Sequence, residues 1–330
     1  MCVNRLDTAR WTRACAGIGA VLWVLVALAW AFGLVRLDAL EVLLLLALFV
    51  IAPLAVSLAI VPSDSRLLRD LKRLIAIAWP GAALAGGASF LLRAGPLAAA
   101  IAAVWLLFTA LLALAGAIRL FHTRGISLAD ACLALALIYL PIGAAWFVLA
   151  RLGSRPLGFS QTIVLLTAVH FHFITLAALI LTGLTGRAVG ARHVGWPRTA
   201  YRVAAAGMLV DPLLVAAGIT LTQVTGVRFP ESAAAVLLAL SLLLIAALSL
   251  RFVVPATTPP LARGLLAVSG ASVFLTMALA CAYAVGAATG AWAITIPQMI
   301  PAHGWVNALG FGFCGLLGWR LRLDGTERQH

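Results

Sequence analysis

Ten long, nearly uninterrupted apolar runs leave this chain one class of fold. Counted with soft ends, they cover 14–35, 39–61, 74–93, 96–119, 128–150, 162–184, 201–223, 233–254, 262–287 and 303–320. A helix rising 1.5 Å per residue needs roughly 20 such residues to cross about 30 Å of hydrocarbon. The runs do not alternate polar with apolar positions, so they are not barrel strands. At 64% hydrophobic and only 10% charged residues, with a mean hydropathy of +1.11, the chain lacks the polar shell that a soluble domain needs. It therefore reads as an all-α, polytopic transmembrane helical bundle with one integral membrane domain over 1–330. Two five-span halves, 1–155 and 156–330, would be inverted relative to each other, but their shared features are few. The stretch 288–302 is also apolar; Pro297 and Pro301 predict a short interfacial or re-entrant piece there.

Charge placement supports the count. Lys and Arg collect in cytoplasmic loops. With the N-terminus inside, 18 of the 23 basic residues fall in inside segments, among them Arg187, Arg192, Arg198, Arg202, Arg251, Arg263, Arg320 and Arg322. Only Arg36, Arg93, Arg151, Arg155 and Arg228 fall outside. Both termini are then cytoplasmic. The net charge of +13 is thus a set of short-loop anchors near anionic headgroups, and no nucleic-acid motif accompanies it. The five cysteines, Cys2, Cys15, Cys132, Cys281 and Cys314, form no CxxC pair and no disulfide framework. The first run has a basic start and small residues at Ala27-Leu28-Ala29, but its length favours an uncleaved anchor over a signal peptide.

Polar groups at membrane depth are costly, so they mark candidate sites. Val169-His170-Phe171-His172-Phe173 lies inside the sixth run, with His170 roughly 13 Å from one end. Positions two apart on a helix differ by about 200°, so His170 and His172 point to nearly opposite faces and do not chelate one metal together. Thr167 shares a face with His170, and Thr175 with His172. A packing role explains either histidine alone better than it explains both. Asp211, about ten residues into the seventh run, is the only carboxylate in the middle of any span. Pro212 follows it and predicts a local break, while Gly207 and Gly218 allow another helix to come close. His303 and Asn307 share a face at the outer end of the last run, beside a small-residue stripe of Gly304, Ala308 and Gly312. His122, His193 and His330 fall in cytoplasmic segments and read as solvated. Asp130 reads as a helix cap, and Gln298 as lining an outer mouth.

These motifs carry a resemblance. His170-Phe171-His172 within a span, followed by His303-Gly304-x-x-Asn307-Ala308-x-Gly310-Phe311 and Gly315-x-x-Gly318-Trp319, resembles the YndJ-like family of bacterial multi-pass membrane proteins. The resemblance implies a bacterial inner-membrane location and that His170, His172, His303 and Asn307 belong together; it assigns them no roles. Some members are longer, and a transporter label is sometimes attached to the family.

Three functional classes follow. The first is a proton-linked permease for a small solute, with His170 or His172 and Asp211 as a proton relay and His303 and Asn307 along the path. No P-loop is present, so coupling would be to ions. The second is a membrane-embedded metal or haem protein resembling zinc hydrolases, for which His170, His172, Asp211 and His303 are acceptable ligand types. The third is a structural or assembly subunit. No catalytic set is identified; whether the chain is an enzyme stays open, leaning no, and a metal or haem stays open as a cofactor. The implied partners are the bilayer, protons and a small solute.

Overall fold

A computed structural model describes residues 8–59, 66–122 and 125–327. Cys2, Arg5, Arg124, Arg328 and His330, and the side chains of Arg10, Arg13, Arg66 and His122, lie outside the described residues.

Among the described residues the chain is all-α. Ten long helices run in order: α1 Thr8–Ala31, α2 Ala39–Ala59, α3 Leu67–Leu91, α4 Pro96–Phe121, α5 Leu128–Leu152, α6 Gln161–Arg192, α7 Trp196–Thr225, α8 Phe229–Ala256, α9 Pro260–Thr289 and α10 at 296–327. Each matches one apolar run. Nine of the described helices are long and apolar enough to cross a membrane. The exception is α10, whose 303–320 stretch is diluted by His303, Asn307 and five glycines.

The start of α10 corrects the sequence reading. Its helix begins at Ile296, seven residues before His303, so 288–302 does not form a separate re-entrant piece. Pro297 initiates the helix rather than breaking it, because an N-terminal proline gives up an N–H that has no partner there anyway. Thr295 caps it, and Gln298 closes a capping box with Thr295.

The helices pack as two compact units. The first comprises the chain to Arg124 with Ala134–Ala177, and the second Gly125–Leu133 with Ala178–His330. In the first unit, α2 is almost wholly buried, as its run of Leu, Ala, Phe, Val and Ile on every face requires. Glycines let its neighbours approach: a Cβ on Gly19 of α1 would collide with the Phe49 carbonyl, and Gly86 and Gly87 of α3 lie over Leu48 and Phe49. In the second unit, α7 packs on α8, α8 on α9 and α9 on α10. Gly310, Gly315 and Gly318 of α10 meet Ser272, Ser269 and Leu266 of α9. These three glycines line the α9 contact, and Ala308 and Gly312 of the expected stripe are buried.

Four stretches are π-helical: Ala47–Ile51, Phe171–Ala178, Ser249–Val253 and Ile300–Phe313. Such segments concentrate at functional sites. Here one begins directly after His170 and contains His172, and the longest contains His303 and Asn307.

Candidate functional site

The two histidines of α6 separate. His172 is fully buried in the first unit, and His170 is exposed. His172 Nδ1 lies 2.8 Å from the Ala168 carbonyl, and Trp105 Nε1 donates to its Nε2 at 2.9 Å. A carbonyl only accepts and an indole only donates, so the imidazole is neutral with its proton on Nδ1. The rings are 6.1 Å apart and inclined by 22°, as an in-plane N–H···N bond between nearly coplanar rings requires. Gly143 of α5 makes the room: a Cβ there would fall 2.7 Å from Phe171 Cβ and 3.0 Å from His172 Nδ1. Both nitrogens of His172 are thus occupied, which leaves no lone pair for a metal and no vacancy for a second proton. His170 donates from Nδ1 to the Leu166 carbonyl at 3.0 Å, one turn back on its own helix. Its Nε2 has no hydrogen-bond partner among the described residues.

In the second unit Asp211 is buried at the centre of α7, 15 residues after Trp196 and 14 before Thr225. The helix continues through Pro212 without the expected break. Pro212 only removes one N–H from the ladder. Ser241 of α8 donates to Asp211 Oδ2 at 2.9 Å, and Gly207 keeps this contact open, since a Cβ there would strike the Ser241 hydroxyl. Among the described residues of this unit, no Lys, Arg or His pairs with Asp211.

His303 and Asn307 come together, as their spacing predicts, and Thr276 of α9 completes a cycle with them. His303 Nδ1 donates to the Thr276 carbonyl at 2.9 Å, Asn307 Nδ2 donates to His303 Nε2 at 3.2 Å, and the Thr276 hydroxyl donates to Asn307 Oδ1 at 2.9 Å. That hydroxyl also lies 3.0 Å from the Ser272 carbonyl of its own helix. Because α10 begins at residue 296, His303 lies about 10 Å along its helix and not at its end.

Three other readings change. Asp130 does bond to Ser127 at a helix start, but it also holds Arg187 of α6 through Nε at 3.1 Å and Nη2 at 2.5 Å. His193 is not a solvated loop residue; it packs edge-on against Phe252 at 4.5 Å, and its Nε2 is buried. Arg151, placed among outside loop charges, is buried at the end of α5. It donates to the Ser89 and Leu92 carbonyls, lies 4.9 Å over Phe90 and faces Glu41 at 3.7 Å. It is a clamp on the end of α3 rather than an anchor in water.

Sequence reasoning did not name Trp105, Gly143, Ser241 or Thr276. Trp105 and Gly143 are apolar residues among apolar neighbours and carry no local signal. Ser241 is a lone hydroxyl in a leucine-rich span, a usable but weak one. Among the described residues, no three His, Cys, Asp or Glu side chains converge where a metal ion would sit.

The sequence model of the YndJ-like protein family matches residues 42–311. A Bacillus subtilis (strain 168) protein described as "Uncharacterized membrane protein YndJ" is 32% identical over 222 residues. The match covers 67% of this chain but only 38% of that protein, so the chain spans well under half of its relative. No solved structure matches.

Proposed function

The chain belongs to the YndJ-like protein family, and from the geometry above we propose a proton-linked permease for a small solute, in which Asp211 takes up and releases the proton. One observation supports the reading. Asp211 lies at the middle of a membrane-length helix with one hydroxyl donor and, among the described residues of its unit, no cation. A carboxyl group so placed can exchange a proton without breaking an ion pair. Proline inside α3, α5 and α7 removes backbone donors at depth, which suits helices that bend during transport. His172 leaves the relay, since both its nitrogens are committed. His170 stays a candidate through its open Nε2.

Infrared difference spectra of the purified protein between acid and alkaline buffer should contain a carboxylic-acid band that Asp211→Asn removes. Vesicles carrying the wild type should dissipate an imposed pH gradient when offered members of a small-solute panel, and Asp211→Asn vesicles should not. A band and a gradient response that both survive Asp211→Asn would sink the reading.

A structural or assembly role has its own support. The His172–Trp105 pair and the His303–Asn307–Thr276 cycle each tie neighbouring helices together, as packing devices do. On that reading, Asp211→Leu leaves both stability and the gradient response unchanged.

A further inference from the structure

One end of the second unit gathers four guanidinium groups from four helices. Thr257, fully buried between α8 and α9, is the hub. Its hydroxyl donates to the Val253 carbonyl at 2.8 Å and accepts from Arg322 Nη1 of α10 at 3.1 Å. Its carbonyl accepts from Arg263 Nε of α9, also at 3.1 Å. Two arginines from different helices thus meet on one threonine. Arg192, the last residue of α6, is a third. Burial and then the charge of Arg192 lower the pKa of Arg322, so these two like charges stand close together. Arg251 is the fourth: it lies 5.3 Å over Phe252, whose ring also meets His193 and Trp196.

The described acids of this unit each have another partner, Asp324 among them although it lies two residues from Arg322 on α10. Asp130 holds Arg187, Asp211 is at the centre of α7, Glu231 is beside Arg228, and Asp324 is held by Arg320. Arg192, Arg251 and Arg263 have no carboxylate partner among the described residues, and Glu327, whose side chain is outside them, would supply one charge at most. The α7 and α9 helices begin here with no acidic residue in the first turn and no side-chain cap, which adds partial positive charge. His193 Nε2, buried beside Arg192, has no hydrogen-bond partner.

We propose that this end of the second unit seats the phosphate of an anionic phospholipid between Arg192, Arg263 and Arg322, with Arg251 at the rim. The apolar surroundings select a lipid over a free anion: Val194, Trp196 and Leu261 are exposed beside the arginines, where acyl chains and the headgroup boundary would cover them. The end carrying the most arginines is the one that charge placement assigns to the cytoplasmic leaflet, where anionic headgroups attract such groups.

The test uses the purified, delipidated full chain in neutral detergent. Cardiolipin or phosphatidylglycerol in mixed micelles should raise the unfolding temperature and remain bound in native mass spectra; phosphatidylcholine should do neither. Arg192→Gln/Arg251→Gln/Arg263→Gln should weaken binding by about fivefold per arginine, on the order of 100-fold together. Removing the same charge as Arg36→Gln/Arg93→Gln/Arg155→Gln should leave it intact. Should the first triple variant fail to fold, Arg192→Gln/Arg251→Gln, at two exposed positions, should still lose roughly 25-fold. Equal losses in the two triple variants, or undiminished binding in the first that folds, would overturn the site. Stabilisation by inorganic phosphate equal to that by cardiolipin would overturn the lipid assignment.

Discussion

His172 in the first unit and His303 in the second solve one problem in two ways. Each is neutral, each gives its Nδ1 proton to a main-chain carbonyl, and each accepts an N–H at Nε2. Both lie in π-helical segments. The donors differ. Trp105 only donates, so a protonated His172 would face N–H with N–H inside a fully buried pocket. Asn307 carries both an amide and a carbonyl oxygen. Turning the amide over would present Oδ1 to a protonated Nε2, while the Thr276 hydroxyl falls back on the Ser272 carbonyl. The first arrangement is locked in one protonation state, and the second can hold two. The partner, not the histidine, decides which of them can take part in proton traffic.

The comparison breaks most visibly at Trp105. Trp105→Ala removes a fully buried indole and strands His172 Nε2, so unfolding should become easier by about 3–5 kcal/mol. Trp105→Phe keeps most of the volume and should cost about 1–3 kcal/mol, the penalty of the unsatisfied nitrogen alone. Denaturant titration in detergent micelles separates the two. Gly143→Ala attacks the same pocket from α5 by crowding Phe171 and His172; about 1–3 kcal/mol is expected. A Gly143→Ala protein as stable as wild type would mean that His172 is not held as described.

The second arrangement should be softer. Asn307→Leu breaks the cycle at two points, yet hydrogen bonds between membrane helices average about 0.6 kcal/mol and reach about 1.7. A loss near 1 kcal/mol is therefore expected. Asn307→Asp sharpens the contrast. A carboxylate accepts from a doubly protonated His303, so this variant should fold, and nitrogen chemical shifts of labelled histidine should report an imidazolium at His303 while His172 keeps its neutral tautomer. A neutral His303 in Asn307→Asp would remove the distinction between the two arrangements.

How much of this the sequence carried depends on range. The ten helices were legible because each is one unbroken apolar run, and a membrane leaves such runs no other structure. The start of α10 was not, because a proline reads as a breaker until its Thr295 cap is seen. His170, His172 and Asp211 were legible because polar groups stand out against their spans. Their partners were not: Trp105 is 67 residues from His172, and Ser241 is 30 from Asp211. The i, i+4 pair His303–Asn307 was legible, and Thr276, which closes it from 27 residues away, was not. The π-helical stretches leave no clear mark in the pattern, since a wider turn over a uniformly apolar segment still buries apolar groups.

His170 is the residue the comparison leaves over, and it should give the smallest stability effect. Its one hydrogen bond goes to its own helix, and its exposed ring contributes little packing. His170→Leu should therefore change unfolding by less than about 0.5 kcal/mol, the range of substitutions away from any buried network. The informative measurement is the same variant in the vesicle assay. Nε2 of His170 is an open acceptor on a membrane-length helix. If it passes protons, His170→Leu slows the collapse of an imposed pH gradient while stability stays put. His172→Leu should do the reverse: it leaves Trp105 without an acceptor and lowers stability, while whatever gradient response the folded protein retains is unaltered. Opposite outcomes in these two variants would assign proton passage to the locked histidine and packing to the open one, which the hydrogen-bond geometry of neither ring allows.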